Sequence, residues 1–486
     1  MPKIKNVLLL VADQQRRDCL GPYGNRIVET PVLDELAGHG VRFDNAFTPI
    51  SICTPARACI QTGQLPQHFD MIFNHEFHRC RGGVLDLPAG TPFFSLDLGA
   101  RGWNLSHNGK WHIGDSNRPA DAGYEGQYHP GYGFPDKHPH YLEYLQSLGI
   151  EGFILENSIE HPDGSNRFNY GGEQLGGRKA SIPAYLAEET ISSIRKFAKE
   201  EKPFFTSAQF WGPHSPFRIP GEYLNMYMDR LDEIEPWPNC DASLSQKPEI
   251  IGIQGHDLFR TAWMDDRSRR EMIARYYGYV TLIDHEMGRI IRALKDVGVY
   301  EETLIIYTSD HGSALGSYGM WDKGFGMYDC FFRIPLVVSH PSIEPGVCDA
   351  VVDLCDLAPT FREIAGYEAS SELDGYSLMP LLRREKTAVR DDYYCASHWG
   401  HQFPFWQRMI RTNRVKYIWN VADEDEFYDL ESDPWEMTNI IDEVDRDKLQ
   451  NLQYKLYCWL RDTNDASKNF AVKLMNIIEY VEAREE

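Results

Sequence analysis

The sequence predicts an α/β protein: an α/β/α sandwich with a mostly parallel central sheet, plus a smaller C-terminal α+β domain with an antiparallel sheet. Three observations predict it. Continuous apolar runs, led by residues 7–12 (VLLLVA), suit strands covered on both faces. They alternate with stretches of helical period, as in 269–294, where Met272, Tyr276, Val280, Ile283, Met287, Ile291 and Leu294 share one stripe. After about residue 385 the pattern changes to alternating strands at 393–397 and 409–419, as in a sheet with one open face, then two helices at 448–461 and 470–481. The expected domains are 1–385 and 386–486.

A chain of 486 residues can bury one large core and a smaller one. The net charge of −23 argues against nucleic acid or an anionic membrane as a partner. An anionic substrate must then be drawn by local cations. The six apolar residues at 7–12 are too few for a signal-peptide core or a membrane span, so a cytoplasmic location is expected. Ten cysteines without framework spacing suggest reduced thiols. The last helix carries Phe470, Leu474, Ile477, Ile478 and Val481, which pack either on the core or on another subunit, leaving an oligomer open.

In chain order, strand 7–12 ends at Asp13-Gln14. A helix at 31–38 leads to an extended 41–47. Residues 91–100 read as a helix and 103–106 as a short strand that runs into Asn108-Gly109-Lys110-Trp111-His112. Residues 116–180 are rich in Gly, Pro, Tyr and His, which favours loops: either a surface insertion or a shaper of substrate choice. Residues 182–199 are helical. Strand 204–210 ends at Trp211-Gly212-Pro213-His214-Ser215-Pro216, strand 304–308 ends at Ser309-Asp310-His311-Gly312, and strand 334–338 follows Lys323. In open α/β sheets, ligand-binding groups sit at the carboxyl ends of strands. Asp13, Gln14, Asp310 and His311 offer two carboxylates, an amide oxygen and an imidazole for one divalent cation. Arg57, Lys110, His112, His214 and Lys323 supply cationic and acid–base groups.

The stretch Ser51-Ile52-Cys53-Thr54-Pro55-Ala56-Arg57 places Cys53 at the start of a helix that Pro55 suits. A helix N-terminus favours anions, so a thiol there is easily deprotonated. Physics alone leaves two readings: a reactive Cys over an anion site, or a small buried Cys before an ordinary helix.

Cys53-Thr54-Pro55-Ala56-Arg57, followed by Thr62-Gly63, resembles the signature of the sulfatase family, although Gln61 stands where that family usually has an apolar residue. Gly109-Lys110-Trp111-His112, Pro213-His214-Ser215-Pro216, and Ser309-Asp310-His311-Gly312 with Gly319 and Lys323 resemble further family segments. So does the turn from Phe427 to Pro434. The resemblance implies the alkaline-phosphatase-like fold. It implies oxidation of Cys53 to formylglycine by a maturation enzyme that acts on the extended chain. It also implies one divalent metal, usually Ca²⁺, on Asp13, Gln14, Asp310 and His311; imidazole suits Mn²⁺ as well. In the implied reaction the hydrated aldehyde attacks sulfur, and Arg57, Lys110 and Lys323 stabilise the sulfuryl oxygens. His214 with Lys323 protonates the leaving alcohol, and His112 takes the proton whose loss expels sulfate. Asn74 either contacts the diol or a sulfate oxygen, or caps a loop.

The implied activity is hydrolysis of a small anionic sulfate ester, an aryl sulfate or a sulfated sugar. The Asp-Gln and Asp-His pairs also resemble the choline-sulfatase and phosphonate monoester hydrolase branches, so a phosphonate monoester or phosphodiester hydrolase is the nearest rival. A non-catalytic binder of sulfated ligands is more remote. So is a structural zinc site at 75–80, whose spacing fits no common pattern.

Overall fold

The computed structural model describes residues 4–74, 83–129, 135–160, 169–242, 244, 247–254, 261, 263–401 and 404–485. The 75–80 segment, and 130–134 of the aromatic loop, lie outside the described residues.

The first strands are β1 (Asn6–Asp13), β2 (Gly40–Phe47), β3 (Asn104–Lys110), β4 (Tyr128–His129), β5 (Leu155–Glu160) and β6 (Asn169–Gln174). Next come β7 (Phe204–Pro213), β8 (Phe217–Pro220), β9 (Thr303–Ser309), β10 (Leu336–Ser339) and β11 (Gly346–Asp353). An eight-stranded sheet has the order β11-β2-β10-β9-β1-β7-β3-β4, and β5-β6-β8 form a small second sheet. The large sheet is mostly parallel, as expected. The exception is β10, read from the sequence as one more strand of the series, which runs antiparallel to both β9 and β2.

β1 is central and fully buried. Its side chains alternate between two cores, as the period of a strand requires. Leu8, Leu10 and Ala12 face the helices Ile182–Ala198 and Asp266–Asp296. Val7, Leu9 and Val11 face Phe94–Ala100, Leu357–Ile364 and the helix Cys53–Thr62. Helices therefore cover both faces. The long helix Asp266–Asp296 also anchors Pro31–Gly38: the buried Asp284 carboxylate accepts from the first-turn N–H groups of Val32 (3.0 Å) and Leu33 (2.9 Å).

The C-terminal sheet is antiparallel, with β12 (Tyr393–His398), β13 (Gln407–Thr412), β14 (Val415–Asn420) and β15 (Glu426–Asp429). The expected strand at 409–419 is two strands joined at a turn. The open face expected of this sheet is absent. One face packs on Phe47, Phe325 and Phe331 of the main body, the other on helix Arg446–Asp462. The charged residues of these strands that suggest solvent are buried on carboxylates instead. Arg408 is paired with Asp465 (2.8 Å), Arg411 with Asp329 (2.8 Å), and Lys416 with both Asp329 (2.7 Å) and Glu436 (2.5 Å). The single helix expected at 470–481 is broken into Lys468–Leu474 and Ile478–Glu485, with Asn476 left-handed (φ 56) between them. Among the described residues no helix is long and apolar enough to cross a membrane.

Candidate functional site

Four adjacent parallel strands, β9, β1, β7 and β3, end on one edge of the large sheet. β1 ends in Asp13, and Gln14 follows it. Asp310 and His311 follow β9, His214 follows β7, and β3 ends in Lys110, two residues before His112. The reading of 103–106 stops that strand four residues early; its true end carries Lys110 into the cluster.

Helix Cys53–Thr62 brings the fifth component. All ten of its residues are buried, and Gly63 ends it with φ 70, where a Cβ would meet that of Ala358 at 2.9 Å. Residue 52 supplies no side-chain cap; Asn74 acts instead, its Oδ1 accepting from the Thr54 N–H at 3.0 Å. Asn74 Nδ2 is buried and, among the described residues, has no hydrogen-bond partner. Gln61, the departure from the family pattern, accepts from the Tyr124 hydroxyl at 2.9 Å.

None of Asp13, Gln14, Cys53, Arg57, Asn74, Lys110, His112, His214, Asp310, His311 and Lys323 is more than 3% exposed. The Cys53 sulfur lies 3.1 Å from His311 Nε2 and 3.8 Å from Asp13 Oδ1. Arg57 Nη2 bridges the two carboxylates, at 2.8 Å from Asp13 and 3.0 Å from Asp310. Lys110 Nζ adds a second cation to Asp13 at 2.6 Å. Lysine and arginine charge hold the Asp13 carboxyl well below its usual range, against the opposing effect of burial. The Cys53 thiol is shifted against the easy deprotonation expected of a helix start: burial and the Asp13 charge push it up to about 12, against the lowering effect of Lys110 and Lys323.

His311 Nδ1 bonds the Gly312 carbonyl at 2.8 Å and must donate to it, which leaves the Nε2 lone pair directed at Cys53. Burial lowers the His311 pKa and favours this neutral form. Lys323 Nζ donates to Gln14 Oε1 at 2.9 Å and meets His214 Nε2 at 2.5 Å. His214 Nδ1 donates to the Ser215 carbonyl, and burial together with Lys323 drives the His214 pKa well down. This favours a neutral His214 whose Nε2 faces the Lys323 amine. His112 is fully buried, with φ 55.

The donor set suits a divalent cation. Asp13, Asp310, His311 and Cys53 each offer a ligand atom within 4.8 Å of the others. Asp310 Oδ2 is buried without a hydrogen bond, although Arg57 lies beside it. Two carboxylates and a neutral imidazole are hard and borderline ligands. The Gln14 oxygen is nearby, engaged by Lys323.

Three residues join the site without having been singled out in the sequence. Gln209 Oε1 accepts from Arg57 Nη1 at 3.1 Å, Ser313 Oγ accepts from Gln14 Nε2 at 3.0 Å, and Asp322 Oδ1 lies 3.5 Å from Lys323 Nζ. A polar Gln near the end of an apolar strand was a usable signal for the first.

The family model Sulfatase matches residues 5–367, and the model for the C-terminal part of N-sulphoglucosamine sulphohydrolase matches residues 316–463. The chain is 28% identical over 461 residues to an arylsulfatase of Clostridium perfringens (strain 13 / Type A), covering 90% of each. Its fold is similar to that of a phosphonate monoester hydrolase of Agrobacterium radiobacter, with a TM-score of 0.77 and 24% identity over 94% of this chain and 95% of that one. It is likewise similar to a protein solved with its substrate D-glucosamine-2-N,6-O-disulfate, with a TM-score of 0.75 and 21% identity over 96% and 99%.

Proposed function

The chain belongs to the sulfatase family of sulfuric ester hydrolases, and from that premise we propose that it removes sulfate from a sulfated carbohydrate, using formylglycine made from Cys53. In this reading residues 1–385 carry the catalysis and 386–486 form a smaller domain against them. The observation that carries the reading is the position of residue 53: its sulfur faces His311 Nε2 and Asp13, and Arg57 spans the two carboxylates beneath it.

Formylglycine supplies a hydrated aldehyde, with one hydroxyl to attack sulfur and a second whose deprotonation expels sulfate. A divalent ion, Ca²⁺ or Mn²⁺, held by Asp13, Gln14, Asp310 and His311 supplies Lewis-acid charge beside it. The chain's own groups do the rest. Arg57 and Lys110, fixed on Asp13, and Lys323 present positive charge to the sulfuryl oxygens as negative charge shifts among them. Asn74, held by the Thr54 N–H, keeps its Nδ2 donor for a sulfate oxygen or the residue-53 hydroxyl. The leaving alcohol takes its proton from the Lys323–His214 pair. Lys323 Nζ and His214 Nε2 meet at 2.5 Å, close enough to pass that proton between them. His112 takes the proton from the second hydroxyl.

Purified protein should release inorganic sulfate from aryl sulfates and, faster, from sulfated mono- or disaccharides. Aryl phosphonate esters are the control. Faster turnover of the phosphonates than of every sulfate ester would favour the rival reading, which the fold likeness alone does not decide.

A further inference from the structure

Gln14 stands where the chain leaves β1, and its backbone is left-handed, with φ 60. A residue other than glycine keeps that conformation only where its surroundings fix it. In it the Gln14 N–H donates to Asp310 Oδ1 at 3.0 Å, while the side chain reaches Ser313 Oγ at 3.0 Å and Lys323 Nζ at 2.9 Å. The His311 N–H donates to the same Oδ1 at 2.9 Å. That leaves Oδ2, which carries no hydrogen bond, as the Asp310 oxygen open to a cation, with Arg57 beside it. The turn at Gln14 thus places an amide oxygen and orients a carboxylate.

What fastens this turn comes from another element. Tyr276, on the apolar stripe of helix Asp266–Asp296, has its ring in the core, edge-on to Phe217 with 5.8 Å between centroids. Packing accounts for the ring and not for the hydroxyl. The hydroxyl bridges the peptide groups on either side of Gln15: it donates to the Gln14 carbonyl at 2.8 Å and accepts from the Arg16 N–H at 2.8 Å. Arg16 carries the clamp to the facing loop, where its Nη1 donates to the carbonyls of Ser313 (3.0 Å) and Ala314 (2.6 Å) and to Ser317 Oγ (2.9 Å). Both bonds of the Tyr276 hydroxyl are to backbone, so it acts through Gln14 and not on the reacting atoms.

We propose that Tyr276 is a positioning residue of the cation site: its hydroxyl holds Gln14 in the left-handed turn and so sets the Gln14 amide and the Asp310 carboxylate for a divalent ion. The inference rests on the reading that Asp13, Gln14, Asp310 and His311 hold such an ion. Groups that orient a ligand set from behind are worth about 10–100-fold in metal affinity. Tyr277 is the internal comparison. It is 3% exposed on the same helix, and its hydroxyl accepts from Asn25 Nδ2 at 2.9 Å, a bond that involves no residue of the cation site.

The test sets Tyr276→Phe against Tyr277→Phe, each of which deletes one buried hydroxyl and keeps the ring. The full chain is stripped with a chelator and titrated by calorimetry with Mn²⁺ and, separately, Ca²⁺, with melting temperature as the check on folding. Tyr276→Phe should bind the ion about 10–100-fold more weakly than the parent, and Tyr277→Phe within about twofold of it. Glycine takes a left-handed turn unaided. Gln14→Gly should therefore bind weakly for want of its amide, and adding Tyr276→Phe to it should cost less than about twofold more, because the two act through one turn. Unchanged affinity in folded Tyr276→Phe, an equal loss in Tyr277→Phe, or the full further loss in the double variant overturns the proposal. A parent that binds neither Mn²⁺ nor Ca²⁺ overturns the metal reading itself, which tells the two failures apart.

Discussion

His311 presents Nε2 to the Cys53 sulfur at 3.1 Å while its other ring nitrogen is tied to the Gly312 carbonyl. The ring can therefore neither rotate nor change tautomer without losing a buried bond. A metal ligand on this strand end should then be selective. His311→Asn should keep the fold and move metal preference toward Ca²⁺, read by elemental analysis after exposure to Ca²⁺ and Mn²⁺ together. Asp13→Ala and Asp310→Ala should lose bound metal and turnover. Asp13→Ala should also lose about 3–5 kcal/mol of stability, because Arg57 and Lys110 are left buried without their common partner. Full metal occupancy in both Ala variants would remove these residues from the ligand set.

Active protein should carry an aldehyde at position 53. Mass spectrometry of the peptide containing Cys53 should show the thiol replaced, and a hydrazide should label it. Activity should track the converted fraction, and Cys53→Ala should be folded and inactive. Full activity with an intact thiol would end the formylglycine mechanism.

Loss of His214 should hurt esters of poorly acidic alcohols by about 10²–10⁴-fold, the usual worth of a general acid, and spare activated aryl esters. Lys323→Ala should show the same leaving-group dependence, because the two groups meet at 2.5 Å. His112→Ala should instead give a burst and then a stall as sulfated enzyme accumulates. A uniform loss on all esters, without a covalent species, would leave these roles unsupported.

Asp284 gives a pH signature far from the chemistry. Burial raises its pKa from 3.8 to about 7 even though it accepts two backbone N–H groups. The native carboxyl keeps its proton where the unfolded one has lost it. Its contribution to stability is thus full below pH 3.8 and is lost as pH rises through about 7. Relative to Asp284→Asn, the parent should lose up to roughly 4 kcal/mol between these limits. Parallel denaturation curves for the two proteins across this range would refute the shift.

The parallel sheet was legible because its strands are apolar on both faces, and the site was legible because chemistry-bearing residues stand where those runs stop. What misled was polarity inside the protein. Arg408, Arg411 and Lys416 carry the charge expected of solvent-facing residues, yet each is buried against a carboxylate supplied from elsewhere in the chain. Local pattern cannot carry that pairing. The Cys53 thiol failed for a related reason. The helix start argues for a thiolate, but burial and the charge of Asp13, forty residues away, push the thiol up. Gln209 was missed because its role comes from the Arg57 side chain it meets across the fold, while Asp322, adjacent to Lys323 in the chain, was overlooked beside it.

The central position of β1 has a consequence for biosynthesis. Its two neighbours are β7 and β9, so the strand bearing Asp13 cannot be fully paired until Ser309 has left the ribosome. At about 5–20 residues per second, the roughly 250 residues between Cys53 and that point take on the order of 10–50 s to translate. Throughout that interval the segment around residue 53 has no finished sheet to dock on. If Cys53 is converted as proposed, chain order alone would keep it open to an enzyme that reads an extended peptide, and closure of the sheet would end the opportunity.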